Sequence, residues 1–199
     1  MCPFIKFDYL FFVLVLGSLA YVFFDFWRKS KAVSSLMETE AARRNAALEK
    51  GVLSFAPRMK FIHEGAEVVL LMTPGSRNAP PHTILKTALP QAPEWKLRIY
   101  RESGLTAVAK AFGRRDVQIN NPGFDSAYYI RTNDEMRLRL FLTPGIQSEI
   151  LSLAQADPAL SVNKGNFELR VPYHFRDAQG LKQFIDTGLA LIGKLNQIG

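Results

Sequence analysis

Tyr9 to Phe24 reads YLFFVLVLGSLAYVFF, sixteen residues without a charge. Carried on through Trp27, the stretch is nineteen residues long and holds one acid, Asp25. As a helix it extends about 24 to 29 Å, close to the hydrocarbon thickness of a bilayer. So uniform a segment has no polar face to turn to water. It must be enclosed by lipid or by a core, and a core helix apolar all round is uncommon in a chain of 199 residues. The expectation is a transmembrane helix over 9–27. Tyr9 and Trp27 suit the two interfaces, and Asp25 can lie at headgroup level. A cleaved signal peptide fits poorly. Lys6, beside Asp8, is the sole basic side chain before the apolar run, and the exit FFDFWRKS is too bulky to suit a signal peptidase.

Flanking charge predicts the orientation. Arg28, Lys29, Lys31, Arg43 and Arg44 follow the span, whereas Lys6 and the free amine precede it. By the positive-inside rule the C-terminal part is cytoplasmic and the N-terminus lies outside. Arg28, Lys29 and Lys31 would then meet anionic headgroups. Cys2 is the one cysteine, which excludes an intrachain disulfide framework and any Cys-rich zinc site.

The chain divides into a tail (1–8), the span (9–27), a basic juxtamembrane helix or linker (28–52) and one domain (53–199). Ser35 and Glu38 have capping-box spacing, and good helix formers run to Gly51. Val33, Met37, Ala41 and Leu48 form a thin apolar face. In the domain, RMKFIH and EVVLLMT read as strands joined at Glu64–Gly65. Five prolines over 74–95 predict a long loop. WKLRIYRE alternates as a half-buried strand. LTAVAKAF, RRDVQI and DSAYYIRT are expected as three more. TNDE (132–135) predicts a capping box, and Thr143-Pro144 a helix start. ALSVNKGNFELRV is a hairpin turning at NKGN. Asp177 caps a closing helix with a stripe of Leu181, Phe184, Ile185, Leu189, Ile192 and Leu195. The order predicts an α+β domain, an antiparallel sheet with helices packed on one face.

Chemistry is sparse. His63, His82 and His174 show no ligand spacing to another His or to Cys, and phosphate-cradling and nucleophile-elbow motifs are absent. Asp125, Asp134 and Glu135 could be a carboxylate group. Asp125, however, is expected to open a strand, and the other two sit in a first helical turn, where the helix dipole favours acids. The net charge of +7 and pI near 9.6 raise nucleic-acid binding. From Gly51 onward, 18 Lys and Arg stand against 13 Asp and Glu, dispersed rather than clustered. Arg114–Arg115 and Arg137 with Arg139 are the densest pairs. Tyr128 and Tyr129 are expected to point to opposite strand faces, so one could stack a ligand while the other fills core, short of an interleaved stacking platform. No catalytic residue, cofactor, metal or nucleic acid is assigned.

The run FDSAYYIRTNDEMRLRLFLTPGIQSEIL resembles a bacterial family of membrane-anchored proteins of unknown function. That family has an F-[DE]-x-x-[FY]-x-[VI]-x-[ST]-x-D strand and turn, then L-T-P and a helix, a hairpin and a C-terminal helix. Phe124, Asp125, Tyr128, Ile130, Thr132, Asp134, Leu142, Thr143 and Pro144 match this order, over roughly Val117 to Leu195. Its members often carry two spans where one is expected here. The resemblance implies fold and location and no activity.

The expected function is therefore a single-pass protein of the inner membrane whose non-catalytic cytoplasmic domain holds an unidentified protein partner or the lipid surface. Two alternatives remain. One is an anchored enzyme assembling His82, His174 and Asp125 under the Pro-rich loop. The other is a domain on the envelope side.

Overall fold

The computed structural model describes residues 4–49, 57–76, 79–101 and 117–198. It opens with one continuous helix, α1 (Phe4–Arg44). Ser35 is interior to it and starts nothing; Thr39 Oγ1 bonds back to the Ser35 carbonyl at 3.0 Å. The helix stops short of Gly51 because Asn45 turns left-handed (φ 49°) and Ala46 N–H returns to the Ala41 carbonyl at 2.9 Å. That six-to-one bond is a Schellman stop, with Asn where glycine usually sits. The segment expected to continue as helix or linker instead supplies the sheet's first strand, β1 (Ala47–Glu49). Gly51 lies outside the described residues.

Eight strands form one antiparallel sheet in the order β1-β2-β3-β4-β8-β7-β5-β6. After β1 come β2 (Arg58–His63), β3 (Ala66–Thr73), β4 (His82–Ala88), β5 (Leu97–Arg101), β6 (Tyr128–Thr132), β7 (Ala159–Asn163) and β8 (Asn166–Val171). Two hairpins appear where expected. In β2–β3, Glu64 and Gly65 take φ 48° and 79°; in β7–β8, Lys164 and Gly165 take 50° and 67°. Positive φ at both central residues gives a turn whose twist matches the flanking strands.

The Pro-rich stretch is not a loop throughout. Its middle, HTILKTA, is β4, near the centre of the sheet between β3 and β8. The prolines bracket this strand rather than interrupt it, so every ladder N–H survives. Thr83, Leu85 and Thr87 point into the core, where Thr83 Oγ1 donates to the Tyr173 carbonyl (2.8 Å) and Thr87 Oγ1 to that of Glu67 (2.7 Å). Two buried threonines on the inward face weaken the hydrophobic alternation that would otherwise mark a central strand.

The strand expected over DSAYYIRT begins late. Asn121 caps a short helix, α2 (Pro122–Ala127), and only then does β6 start. The next helix, α3 (Glu135–Phe141), is capped by Asp134, which accepts from Arg137 N–H at 2.9 Å. Thr132, expected to cap it, instead receives the Trp95 indole N–H at 3.0 Å. Thr143 and Pro144 open α4 (Pro144–Ser152) as expected, and a 3-10 turn follows at Ala154–Ala156. The strand LTAVAKAF and most of RRDVQI lie outside the described residues.

The closing helix, α5 (Ala178–Ile198), crosses the sheet on one face, and α1, α3 and α4 pack against it. Its buried stripe comprises Leu181, Phe184, Ile185, Leu191, Ile192 and Leu195; Leu189 is only partly covered. It shares one core with Met59, Leu70, Leu85, Leu169, Val162 and Ile99, one buried residue from each of six strands. The α+β architecture is thus as expected. Helix and sheet approach closely at Gly188, where an added Cβ would lie 2.1 Å from Leu85 Cδ2. Leu85 is fully buried and has nowhere to retreat. Gly188→Val should therefore cost about 2 kcal/mol by overpacking. A lower urea midpoint at unchanged slope, followed by Trp95 fluorescence, would register the loss; an unaltered midpoint would mean that Leu85 yields freely.

Candidate functional site

The expected span has its backbone inside α1. Side chains described there are those from Phe11 to Tyr21 and Phe24, and all are exposed. Phe11, Phe12, Val13 and Leu14 are consecutive, at 68%, 62%, 50% and 65% exposure. Each helical residue turns about 100°, so four in succession circle the axis. Nothing of the domain, among the described residues, covers a face of this part of α1. Among the described residues, no helix is long and apolar enough to cross a membrane. The side chains of residues 9, 10, 22, 23 and 25–27, and that of Lys29, lie outside the described ones.

One helix turn past the basic cluster, α1 enters the core. Met37 and Ala41 are buried on the stripe begun by Val33, and between them Glu40 is fully buried. Its carboxylate receives Arg43 at 2.7 Å and Arg44 at 3.3 Å. Arg44 also reaches Asp186 of α5 at 2.6 Å and lies 5.9 Å above the Phe61 ring. Lys182 completes the set on Asp186. A buried carboxylate is tolerated only when paired, so this network fixes α1 against α5. The thin apolar face of the helix gave one sign of this docking. The packing is tighter than that face implied.

Between the two helices lies a groove of about 960 Å³. One wall is a stripe of α1: Arg28, Ala32, Val33 and Leu36. The opposite wall is the connection from β8 to α5, Tyr173 to Asp177, and the end is closed by Leu153 and Ala156. The walls are braced. Tyr173 and Phe175 meet edge-on at 5.1 Å, Phe175 rests on Phe184 at 5.3 Å, and Gln183 reaches the Ser152 carbonyl at 3.4 Å. Asp177 caps α5 through Gly180 N–H at 2.7 Å, as expected. Partial burial lifts the Tyr173 hydroxyl above its ordinary pKa and the Asp177 charge adds to this, so it stays a donor at neutral pH. Leu153, Ala156 and Phe175 are buried. Arg28 and Arg176 stand exposed at the rim. An apolar trough with a few polar groups at its edge is the usual form of a ligand site.

His82 and His174 come together at one end of the sheet. His82 pairs with Thr73 in the ladder, and His174 Nε2 lies 2.9 Å from the Thr73 carbonyl. A carbonyl only accepts, so Nε2 must carry the proton and is not a free base. Asp125 does not join them. It lies in α2, beside β6, four strands from β4, about 19 Å away at the usual strand spacing. Its oxygens accept from Ile119 and Asn121 N–H, each at 3.0 Å, bracing the local turn. Tyr128 and Tyr129 are both buried, the first donating to the Ile150 carbonyl at 3.2 Å and the second packed on Tyr100 at 5.3 Å. Arg137 lies over the Trp95 ring at 5.6 Å. Arg114 and Arg115 fall outside the described residues. Among those described, no three His, Cys, Asp or Glu side chains are grouped to hold a metal ion.

In fold the chain is similar to the mycobacterial trehalose monomycolate transport factor A, TtfA, known from a crystal structure. The match has a TM-score of 0.53 at 9% identity and covers 85% of this chain and 94% of that one. Identity this low speaks for the fold alone. No protein family matches the sequence, and no curated protein is similar to it in sequence.

The ion network generates two expectations. Arg44→Met keeps the apolar stem but leaves the buried Glu40 with only half-exposed Arg43. It should cost about 3 kcal/mol in a denaturant titration. Burial pushes the Asp186 carboxyl up, but hydrogen bonds and charge from Lys182 and Arg44 outweigh it, so its pKa lies below the ordinary 3.8. A folded value below the unfolded one means that the stabilisation is complete above pH 3.8 and is lost as pH falls beneath it. Asp186→Asn should flatten the acid limb of a stability–pH curve below that value. A curve parallel to wild type would show that Asp186 contributes nothing.

Proposed function

We propose that this chain is a single-pass, membrane-tethered protein whose α+β domain works by binding at the cytoplasmic face of the inner membrane rather than by catalysis. The observation that carries the reading is the bare apolar collar of α1. Large side chains from Phe11 to Leu14 circle the helix in exposed positions, and water is a poor solvent for such a surface. Those side chains lie inside the longer uncharged stretch Tyr9–Phe24. The basic residues after it favour a cytoplasmic domain.

The docking of α1 supports the same reading. A helix that runs unbroken from the apolar collar to Met37, Ala41 and Glu40 holds the domain at a set distance from the bilayer. A tether with no bearing on function could be a flexible linker. The fold also serves a transport factor, which agrees with holding and passing on a ligand or partner. The resemblance of 117–195 to membrane-anchored proteins adds location without activity.

Cys2, the sole thiol, tests the topology because it lies across the proposed span from the domain. Intact cells, treated with reductant and then a membrane-impermeant maleimide, should label at Cys2 as strongly as lysed cells. Labelling that needs lysis would reverse the orientation and move the domain to the envelope side.

A further inference from the structure

The groove between α1 and α5 opens where the tether ends. Arg28, its first wall residue on α1, follows directly on Trp27, the last residue of the apolar stretch. From Arg28 to Leu36, the groove's extent on α1, is eight residues of uninterrupted helix, a rise of about 12 Å. Half the hydrocarbon core of a bilayer is about 15 Å, the depth over which one leaflet's acyl chains extend. The trough therefore starts at headgroup level and is nearly as long as a lipid chain. Its lining suits such a chain: Val33, Leu36, Leu153 and Phe175 present apolar surface along its length.

The rim has a charge preference. Arg28 and Arg176 line the groove with exposed side chains, and among its lining residues the one carboxylate, Asp177, caps α5. A guanidinium offers paired N–H donors in the geometry of a phosphate. We propose that the groove takes up one acyl chain of an inner-leaflet phospholipid, its anionic headgroup held by Arg28 and Arg176. This rests on the tethered reading above, because the chain must enter from a bilayer that meets α1 near Trp27.

The test uses the full chain reconstituted into vesicles, with phosphatidylglycerol bearing a diazirine at the end of one acyl chain. After flotation and irradiation, crosslinked peptides are mapped by mass spectrometry. Crosslinks should fall on the peptides holding Leu36, Leu153 or Phe175. Ala32 is exposed on the groove wall, so Ala32→Trp fills the trough without entering the core. It should cut this labelling by about tenfold, the equivalent of 1.4 kcal/mol of binding. Gln183→Trp, exposed on the α5 side, serves if that variant does not fold. Arg176→Glu should lower labelling several-fold while leaving flotation intact. Protein that floats but is labelled only within residues 9–27 would overturn the groove and spare the tether. Equal labelling by a phosphatidylcholine analogue would overturn the headgroup assignment. Protein that fails to float would remove both readings.

Discussion

The carboxylate of Glu40 is sealed from solvent, and much of the molecule is arranged around keeping it paired. Arg44 bridges it to Asp186 on α5. Because a buried charge left alone costs several kcal/mol, the bridge admits few alternative poses of α1. That constraint turns a long apolar helix into a rigid stem. It joins the helix to α5, the element that spans the inward face of the sheet, so the stem's direction is set by the core itself. Met37 and Ala41 supply the apolar contact on either side. The ion network adds specificity of docking to attraction that packing already provides.

The groove is a consequence of the same geometry. The two helices are tied together through Glu40, Arg44 and Asp186, and the groove beside that tie is lined by α1 from Arg28 to Leu36 and by the connection from β8 to α5. Its walls are braced by aromatic contacts and by the Thr83 and His174 hydrogen bonds to backbone, which makes the trough a standing feature of the fold. The likeness to a transport factor concerns the fold alone, an antiparallel sheet with helices on one side. The histidines near Thr73 belong to this bracing: His174 spends its Nε2 proton on a carbonyl.

Sequence reading succeeded wherever the physics was local. The turns at Glu64–Gly65 and Lys164–Gly165, the Thr143-Pro144 start and the Asp177 cap all depend on a few adjacent residues. The α5 stripe depends on one helix's periodicity, and it was legible except that Leu191 rather than Leu189 is buried and that Gly188 makes the close approach. Reading failed where distant partners decided the outcome. The strand β4 looked like loop because prolines flank it and two inward positions are threonine. Those threonines are satisfied by carbonyls of β3 and of the segment after β8, which no local pattern announces. Asp125 fell in a helix rather than a strand because Asn121 and Pro122 form a cap and first turn, a signal that NNPG carries just ahead of the expected strand.

By itself the sequence determined the apolar stretch of the N-terminal helix, the α+β class and both tight turns, because each follows from side-chain chemistry within one segment. It did not determine where α1 stops, since Asn45 outdid Gly51 only once Ala46 had a carbonyl to bond and β1 had a strand to join. Nor did it reveal the groove, the pairing of Glu40 with Asp186 through Arg44, or the separation of Asp125 from the two histidines. These rest on distances between residues far apart in the chain. Such distances exist only after the sheet order is set and α5 has closed over it.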